Sequence, residues 1–259
     1  GRVLTKTETQ KVMVMTNLGL KIQQFVSYLL FPFLYLLCIF WMKFIRKYRI
    51  ENIKGLRKQY HDICNLHAKG LLICPNHLTF IDSMLLIWAF ASPWGYAKNF
   101  RSLCWNLPKA THVKENWVHR VVCYLGKCML IEKEVTASKQ TMQRASNLLQ
   151  KGHHIMVFPE GTRSNTGRIN DENFVYGVGQ LHIDSGLPQV LMVYLRGQHQ
   201  ETATKLPKKG DQFTVDMKLV EIHSEQKGRR AMRDVAGQMI DSLKELEANY
   251  FEKNKSYNL

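Results

Sequence analysis

A histidine and an aspartate five residues apart are the first candidates for chemistry in this sequence. His77 and Asp82 lie in the segment NHLTFID, residues 76–82. On one continuous helix their side chains would point about 140° apart, because an α-helix has 3.6 residues per turn. They can meet only if a strand ends before His77 and a helix begins near Thr79. Pro75 and the capping-box-like pattern Thr79-x-x-Asp82 predict such a turn.

This pair has the composition of a general base with its orienting group. An aspartate that accepts a hydrogen bond from one ring nitrogen leaves the other nitrogen free to take a proton. If the substrate supplies the attacking hydroxyl and the acyl group arrives as a thioester, no protein nucleophile is required. A loop histidine beside a helix-start carboxylate would show the same pattern, so these two residues alone do not decide the function.

A second polar cluster, PEGTRSNTGR at residues 159–168, follows another apolar run. Gly161 permits a sharp turn close to a ligand, and Thr162 offers a hydroxyl and an amide. Arg163 presents a planar fork suited to bidentate contact with an oxyanion, and Glu160 is positioned in sequence to hold that arginine. The cluster therefore predicts a phosphate site, although a solvated surface turn would use the same residue types.

These clusters need a scaffold that brings strand ends together. Short apolar runs predict strands at residues 70–74, 128–131, 154–158, 190–195 and 213–219. Helical patterns between them predict helices at residues 83–91, 117–125, 136–151, 177–185 and 229–251. This alternation predicts an α/β fold with a mostly parallel central sheet flanked by helices. Because ligands of such sheets bind at the carboxyl ends of strands, the two clusters are expected at one edge.

The N-terminal part is different in character. Residues 25–42, FVSYLLFPFLYLLCIFWM, contain no charged side chain. This stretch of 18 residues is just long enough for a helix to cross a hydrocarbon core of about 30 Å. A cluster of basic residues follows: Lys43, Arg46, Lys47, Arg49, Lys54, Arg57 and Lys58. We expect this cluster on the cytoplasmic side of an inner, cytoplasmic membrane, facing anionic lipid phosphates. The predicted division is a membrane-anchor segment at residues 1–50 and a catalytic domain at residues 51–259.

Pro32 lies inside the apolar stretch and predicts a broken helix. Two helices, at residues 11–31 and 32–47, would then enter one leaflet as a hairpin that does not cross the bilayer. A single span is the next alternative. A buried helix of a soluble core is disfavoured, since large apolar residues surround the whole circumference.

Composition narrows the possible partners. The 36 Lys and Arg residues exceed the 21 Asp and Glu residues, and the formal charge is +15. Such a charge suits an anionic membrane surface, phosphorylated substrates or nucleic acid. Nucleic acid is not expected, because no recognised binding motif accompanies the charge. The six cysteines show no CxxC pair, so we expect free thiols and no metal site. The chain has no GxSxG motif, which argues against a serine hydrolase.

NHLTFID at residues 76–82 followed by FPEGTRS at residues 158–164 resembles the glycerolipid acyltransferase family, which includes 1-acyl-glycerol-3-phosphate acyltransferases. The similarity extends over residues 65 to 200. It implies His77 as general base and Asp82 as its orienting residue. It also implies a substrate-binding set comprising Asn76, Lys98, Lys133, Glu160, Gly161, Thr162 and Arg163. Lys133 stands where the family commonly has arginine, and it would contact phosphate as a point charge.

The resemblance implies transfer of a fatty acyl group from acyl-CoA or acyl carrier protein to the hydroxyl of 1-acyl-glycerol-3-phosphate, giving phosphatidic acid. No cofactor is expected beyond that thioester co-substrate. The family's later blocks are altered here, with Phe174-Val175 at one position and a single proline at residues 187–192. Another lysophospholipid acceptor or a specialised acyl chain therefore stays open. A non-catalytic membrane protein that binds anionic lipid is the alternative from a different class.

Overall fold

The computed structural model describes residues 6–66, 69–114, 116–172 and 174–255. The helices are α1 Lys6–Phe40, α2 Ile53–Leu66, α3 Asp82–Phe90, α4 Pro93–Lys98, α5 Ala110–Lys114, α6 Trp117–Leu125, α7 Val135–Gln150, α8 Gly177–Ser185 and α9 Arg229–Lys255. The strands are β1 Arg49–Ile50, β2 Leu72–Pro75, β3 Trp105–Asn106, β4 Ile155–Met156, β5 Gln189–Gly197 and β6 Gln212–Glu221. Residues 1–5 of the predicted anchor and residues 256–259 lie outside the described part.

The strands form one sheet in the order β1-β6-β5-β2-β4-β3. Every neighbouring pair is parallel except β5 and β6, which are antiparallel. Cys74 near the end of β2 pairs with Met192 in the middle of β5. The predicted fold class, a mostly parallel sheet between helices with an apolar N-terminal helix, is confirmed.

Both faces of the sheet are covered, so the central strands are buried on both sides. In β5, Met192 and Tyr194 pack in the layer that contains α7, α8 and α9. Leu191 and Val193 point to the other face, toward α2 and α3. This alternation follows from the two-residue period of a strand. It explains why β5 reads as a continuous apolar run.

Helix α1 passes through Pro32 and continues to Phe40, where a π-helical turn, Trp41–Ile45, follows. The predicted break at Pro32 is therefore wrong. A proline removes one backbone donor from the helix, and a long apolar helix tolerates that loss because the hydrogen bonds on both sides remain.

One side of α1 packs on the helices that follow it. The Gln23 side chain donates to the Tyr124 carbonyl (3.1 Å), and the Tyr35 hydroxyl donates to the Ala91 carbonyl (2.7 Å). The opposite side exposes large apolar residues: Leu18, Ile22, Phe25, Leu29, Phe33, Leu36, Leu37 and Phe40. The stretch Leu18–Ile45 contains an 18-residue window with a mean hydropathy of 2.1 and is long enough to cross a membrane. The predicted anchor is thus one helix, and it packs along one side on the rest of the chain.

Several short elements were not predicted. The strands β1 and β3 have two residues each, which is too short for a periodic pattern. The expected strand at residues 128–131 is wrong: this segment bonds to the β3 region only through two isolated bridges, Asn106 to Cys128 and Lys109 to Ile131. The division at residue 50 stays a prediction, although β1 pairs with β6 and so joins the sheet.

Candidate active site

His77 and Asp82 meet at the carboxyl end of β2. His77 Nδ1 lies 3.0 Å from Asp82 Oδ2, and the aspartate is 2% exposed. The histidine side chain keeps 23% of its surface accessible. An imidazole that uses Nδ1 for the carboxylate has Nε2 on the opposite side of the ring. The structure therefore leaves the outward ring nitrogen as the one available to a substrate.

The turn between the two residues is closed by the aspartate itself. Asp82 Oδ2 also accepts from the backbone N–H groups of Leu78 (2.7 Å) and Thr79 (2.8 Å), and Asp82 Oδ1 accepts from the Thr79 hydroxyl. The helix begins at Asp82, one residue before the predicted start at residue 83 and three residues after Thr79 of the capping-box-like pattern. A capping box has two reciprocal hydrogen bonds. The one formed here is that from the Thr79 backbone N–H to the Asp82 carboxylate. These contacts fix the carboxylate before any ligand binds.

Two further contacts fix the histidine. The Phe158 ring stacks on the His77 ring with centroids 4.2 Å apart and an interplanar angle of 29°. The backbone N–H of Ser164 donates to the His77 carbonyl (3.1 Å). Phe158 and Ser164 were not among the predicted site residues, although they flank the Pro-Glu-Gly-Thr-Arg motif. Their position beside that motif was the available signal.

Glu160 has a different role from the one predicted. It is 1% exposed, and its Oε1 accepts from the His77 backbone N–H (2.8 Å) while its Oε2 accepts from the Asn170 backbone N–H (3.1 Å). Within the described residues, no ion pair joins it to Arg163. Burial raises the pKa of the Glu160 carboxyl from its ordinary 4.5 to about 7. The expectation that Glu160 holds the arginine is wrong; it ties the histidine turn to the next loop.

Gly161, Thr162 and Arg163 form the open part of the site. Gly161 has φ +67°, and a Cβ there would lie 1.9 Å from the Val175 side chain, so the position requires glycine. Thr162 and Arg163 are exposed. In the described part of the chain no hydrogen bond or ion pair holds the Arg163 guanidinium. A free guanidinium near His77 is suited to receive an oxyanion.

The loop after this motif is held from the C-terminal helix. Glu247 of α9 accepts from the Ile169 backbone N–H (3.2 Å) and pairs with Arg168 (3.2 Å). The buried Arg196 donates to the Gly167 carbonyl (2.6 Å). Neither Glu247 nor Arg196 lies in a recognisable motif, and no sequence signal marked them. Together they fix the chain that carries Asn170 toward Glu160.

The other predicted substrate contacts are dispersed. The Asn76 side-chain amide makes two hydrogen bonds with the Leu195 backbone. Its Nδ2 donates to the Leu195 carbonyl (3.0 Å), and its Oδ1 accepts from the Leu195 N–H (2.7 Å). Asn76 thus joins β2 to β5 and does not face the site, which corrects the predicted substrate contact. Lys98 is exposed at the end of α4, and no described contact joins it to the His77 turn. Lys133 follows the segment 128–131, which lies beside β3. Counting β4, β3 and this segment outward from β2 gives three strand spacings, or about 14 Å.

The structure thus combines an oriented His77–Asp82 pair with an exposed arginine in the following loop. A sequence model of the family described as Acyltransferase matches residues 50–195, more than half of the chain. The chain is 25% identical over 208 residues to a protein described as taffazin from Dictyostelium discoideum, covering 76% of this chain and 69% of that protein. It is 22% identical over 177 residues to a probable 1-acyl-sn-glycerol-3-phosphate acyltransferase of Mycoplasma pneumoniae.

That second match covers 64% of this chain and 62% of the Mycoplasma protein, so the chain spans less than two thirds of that relative's length. Among solved structures, the chain is similar to the 1-acyl-sn-glycerophosphate acyltransferase PlsC of Thermotoga maritima. The TM-score is 0.43 and the identity 16%, over 89% of this chain and 97% of the other.

Proposed function

The chain belongs to the acyltransferase family, and from this we propose that it transfers a fatty acyl group from a thioester to the hydroxyl of a phosphate-bearing lysolipid. The acceptor we favour is 1-acyl-glycerol-3-phosphate, and the product is phosphatidic acid. The donor is acyl-CoA or acyl carrier protein. The single observation that carries the proposal is the oriented His77–Asp82 pair with Nε2 directed away from the carboxylate.

The reaction follows from this pair. The acceptor oxygen attacks the thioester carbonyl carbon, and its proton passes to His77 Nε2 as the new C–O bond forms. Asp82, held by two backbone N–H groups, stabilises the imidazolium through Nδ1–H. The tetrahedral intermediate then collapses, the C–S bond breaks, and the leaving thiolate takes the proton back from His77. The acceptor is the nucleophile, so no residue of the chain is acylated.

The phosphate of the acceptor is assigned to the loop that follows β4. The exposed Thr162 and Arg163 follow Gly161, whose positive φ turns the chain at the same edge as His77. A guanidinium binds a phosphate through two parallel hydrogen bonds, which fixes both distance and orientation. The formal charge of +15 favours acceptors and donors that carry several negative charges, including CoA phosphates and an acidic carrier protein.

The reaction product shows whether the acyl acceptor is a lysolipid or water. A lysolipid gives an acylated lipid, and water gives a free fatty acid. Labelled long-chain acyl-CoA, and in parallel acyl carrier protein, is incubated with a panel of lysophospholipids that differ in headgroup. We expect labelled phosphatidic acid from 1-acyl-glycerol-3-phosphate, with one thiol released per product. Product from another lysolipid alone would keep the chemistry and replace the acceptor. Release of free labelled fatty acid without acylated lipid would contradict acyl transfer.

The membrane is proposed as the source of the acceptor. Helix α1 and the π-helical turn present an exposed apolar side between Leu18 and Ile45, and the exposed Lys43 and Lys47 lie at its C-terminal end. Such an arrangement suits a helix in contact with acyl chains and cations at anionic headgroups. We place the catalytic domain on the cytoplasmic side of an inner membrane, on the basis of the basic residues that follow the apolar stretch.

A further inference from the structure

We propose that α4 and α6 form a second bilayer-docking surface, beside the His77 turn and separate from the apolar side of α1. This docking surface consists of Trp94 and Lys98 on α4 and of Trp117, Val118, Arg120, Val121 and Tyr124 on α6. Its partner is the surface of an anionic lipid bilayer. The inference rests on the proposed function for the origin of the acceptor, but its test does not depend on turnover.

Helix α6 is apolar and yet buries none of its residues. Trp117 is 74% exposed, and Val118, Val121 and Tyr124 are also exposed. Trp117, Val121 and Tyr124 share one side of the helix, at spacings of four and three residues. A nine-residue helix with this composition would normally pack its apolar side against the protein core. The structure leaves that side open.

Helix α4 repeats the pattern. Tyr96 faces inward and is 1% exposed, whereas Trp94, two residues earlier, is 78% exposed. Lys98 lies four residues after Trp94 and so on the same side, just as Arg120 lies three residues after Trp117. Exposed tryptophans with neighbouring cations are the residues that anchor proteins at the headgroup level of a bilayer.

Both helices adjoin α1. The Tyr96 ring contacts Phe31 and Tyr35 of α1, with centroids 5.8 and 6.0 Å apart. At the other end, Gln23 of α1 bonds the Tyr124 carbonyl of α6. A groove of about 450 Å³ lies between α1 and α6, and Gln23, Trp117, Val121 and Tyr124 line it. Helices α4 and α6 therefore contact the packed side of α1, and the docking surface lies next to that helix.

Helix α6 also contacts the turn that carries His77. The Phe80 ring contacts the His119 ring of α6 with centroids 5.2 Å apart. Phe80 is three residues after His77 and is 53% exposed. His119 and Trp117 lie on opposite sides of α6, so a bilayer that contacts Trp117 would be one helix away from the histidine turn.

A bilayer fits this surface better than a second protein. The surface mixes aromatic side chains with the cations Lys98 and Arg120, and the whole chain carries +15. The adjoining helix is long and apolar enough to enter a membrane. Anionic lipids supply both acyl chains for the aromatic residues and negative charge for the cations.

The first experiment places the two tryptophans. Vesicles of phosphatidylcholine and phosphatidylglycerol that carry bromine on their acyl chains quench tryptophan emission by contact. We compare the full-length wild type with Trp94→Phe/Trp117→Phe, in which the rings stay apolar and docking is retained. The quenched part of the wild-type emission should fall by roughly half or more in the variant, because Trp88 and Trp105 are buried and the half-buried Trp41 is then the one tryptophan left near the bilayer. Equal quenching in both proteins would overturn the proposal.

The second experiment measures vesicle affinity. Trp94→Ser/Trp117→Ser should weaken partitioning into the same vesicles by about tenfold, since each ring loses apolar contact. The matched control is Leu66→Ser/Ile183→Ser, which changes two exposed apolar residues outside the docking surface and should bind as the wild type does. Unchanged affinity in the tryptophan variant would contradict docking. Bilayer docking would also be contradicted if the wild type self-associated without vesicles and the tryptophan variant did not. The partner of the surface would then be a second copy of the chain.

The two proposals can fail separately. Quenching without transfer to any lysolipid would leave docking in place and remove the proposed function. Transfer to detergent-dispersed lysolipid with no lipid quenching of Trp94 and Trp117 would support the proposed function and contradict docking.

Discussion

The His77–Asp82 turn and the Thr162–Arg163 segment lie at the same sheet edge but differ in how they are built. In the turn, Asp82 accepts four hydrogen bonds and is 2% exposed. In the segment, both side chains are exposed, and within the described residues no partner holds Arg163. The difference separates two tasks. The turn is ordered without a ligand, whereas under the proposed function the segment acquires its order from the phosphate that it receives.

This comparison predicts which kinetic constant each region controls. His77→Ala should lower kcat by about 10²–10⁴-fold, the usual contribution of a general acid–base group. Steady-state transfer with saturating acceptor measures it. Melting temperature and vesicle binding serve as controls and should stay close to those of the wild type, because His77 is partly exposed. Undiminished turnover would remove the proposed mechanism.

Arg163→Ala should change the KM for the acceptor, whereas His77→Ala changes kcat. The KM for a phosphate-bearing acceptor should rise by about 10–100-fold, the loss expected for a hydrogen bond to a charged group, while kcat changes little. A titration of acceptor at fixed donor measures both. Arg163→Lys, which keeps the charge but loses the fork, should fall between the two proteins. An unchanged KM in Arg163→Ala would remove the assigned phosphate site.

Gly161 joins the two regions, and its replacement should disturb stability. Gly161→Ala introduces a side chain at φ +67° and a contact of 1.9 Å with Val175. Strain of this kind costs about 1–3 kcal/mol, measured by denaturant unfolding. Gly186→Ala is the control, because Gly186 has φ +62° with nothing within 4 Å of the added atom. Equal losses in the two variants would show that the Val175 contact has no effect.

The buried Glu160 predicts a pH dependence of stability. Its pKa of about 7 in the fold exceeds its ordinary 4.5, so the fold binds the proton more tightly than the unfolded chain does. Its contribution is full below about pH 4.5 and is lost as the pH rises through about 7. Glu160→Gln does not titrate and should gain a few degrees in melting temperature relative to wild type between those limits. A constant difference across that range would contradict the burial argument.

Motifs and long apolar runs predicted the fold and the contact of His77 with Asp82, but not the supporting contacts. The helices α6 and α8 begin and end where their patterns predicted, because their apolar residues keep helical spacing. The role of Glu160 could not be predicted, since its partner is a backbone N–H of a residue 83 positions earlier. Asn76 was misassigned for the same reason: its partner is the backbone of Leu195 on β5.

The N-terminal helix shows the opposite error. Pro32 carries a strong local preference, yet α1 continues through it while one side packs on the domain. Tertiary packing along Gln23, Phe31 and Tyr35 extends over both sides of the proline, and a local rule does not include such contacts.

Direct attack by the acceptor hydroxyl is the central claim, and rapid-quench analysis of the first turnover tests it directly. Wild-type protein is mixed with acyl-CoA that carries label in the acyl group, with and without 1-acyl-glycerol-3-phosphate, and is then denatured and separated from lipid. We expect no label on the chain in either case, and labelled phosphatidic acid only with acceptor present. Label bound to the chain before product appears, or a burst of free thiol without acceptor, would show a protein nucleophile and contradict general-base catalysis by His77.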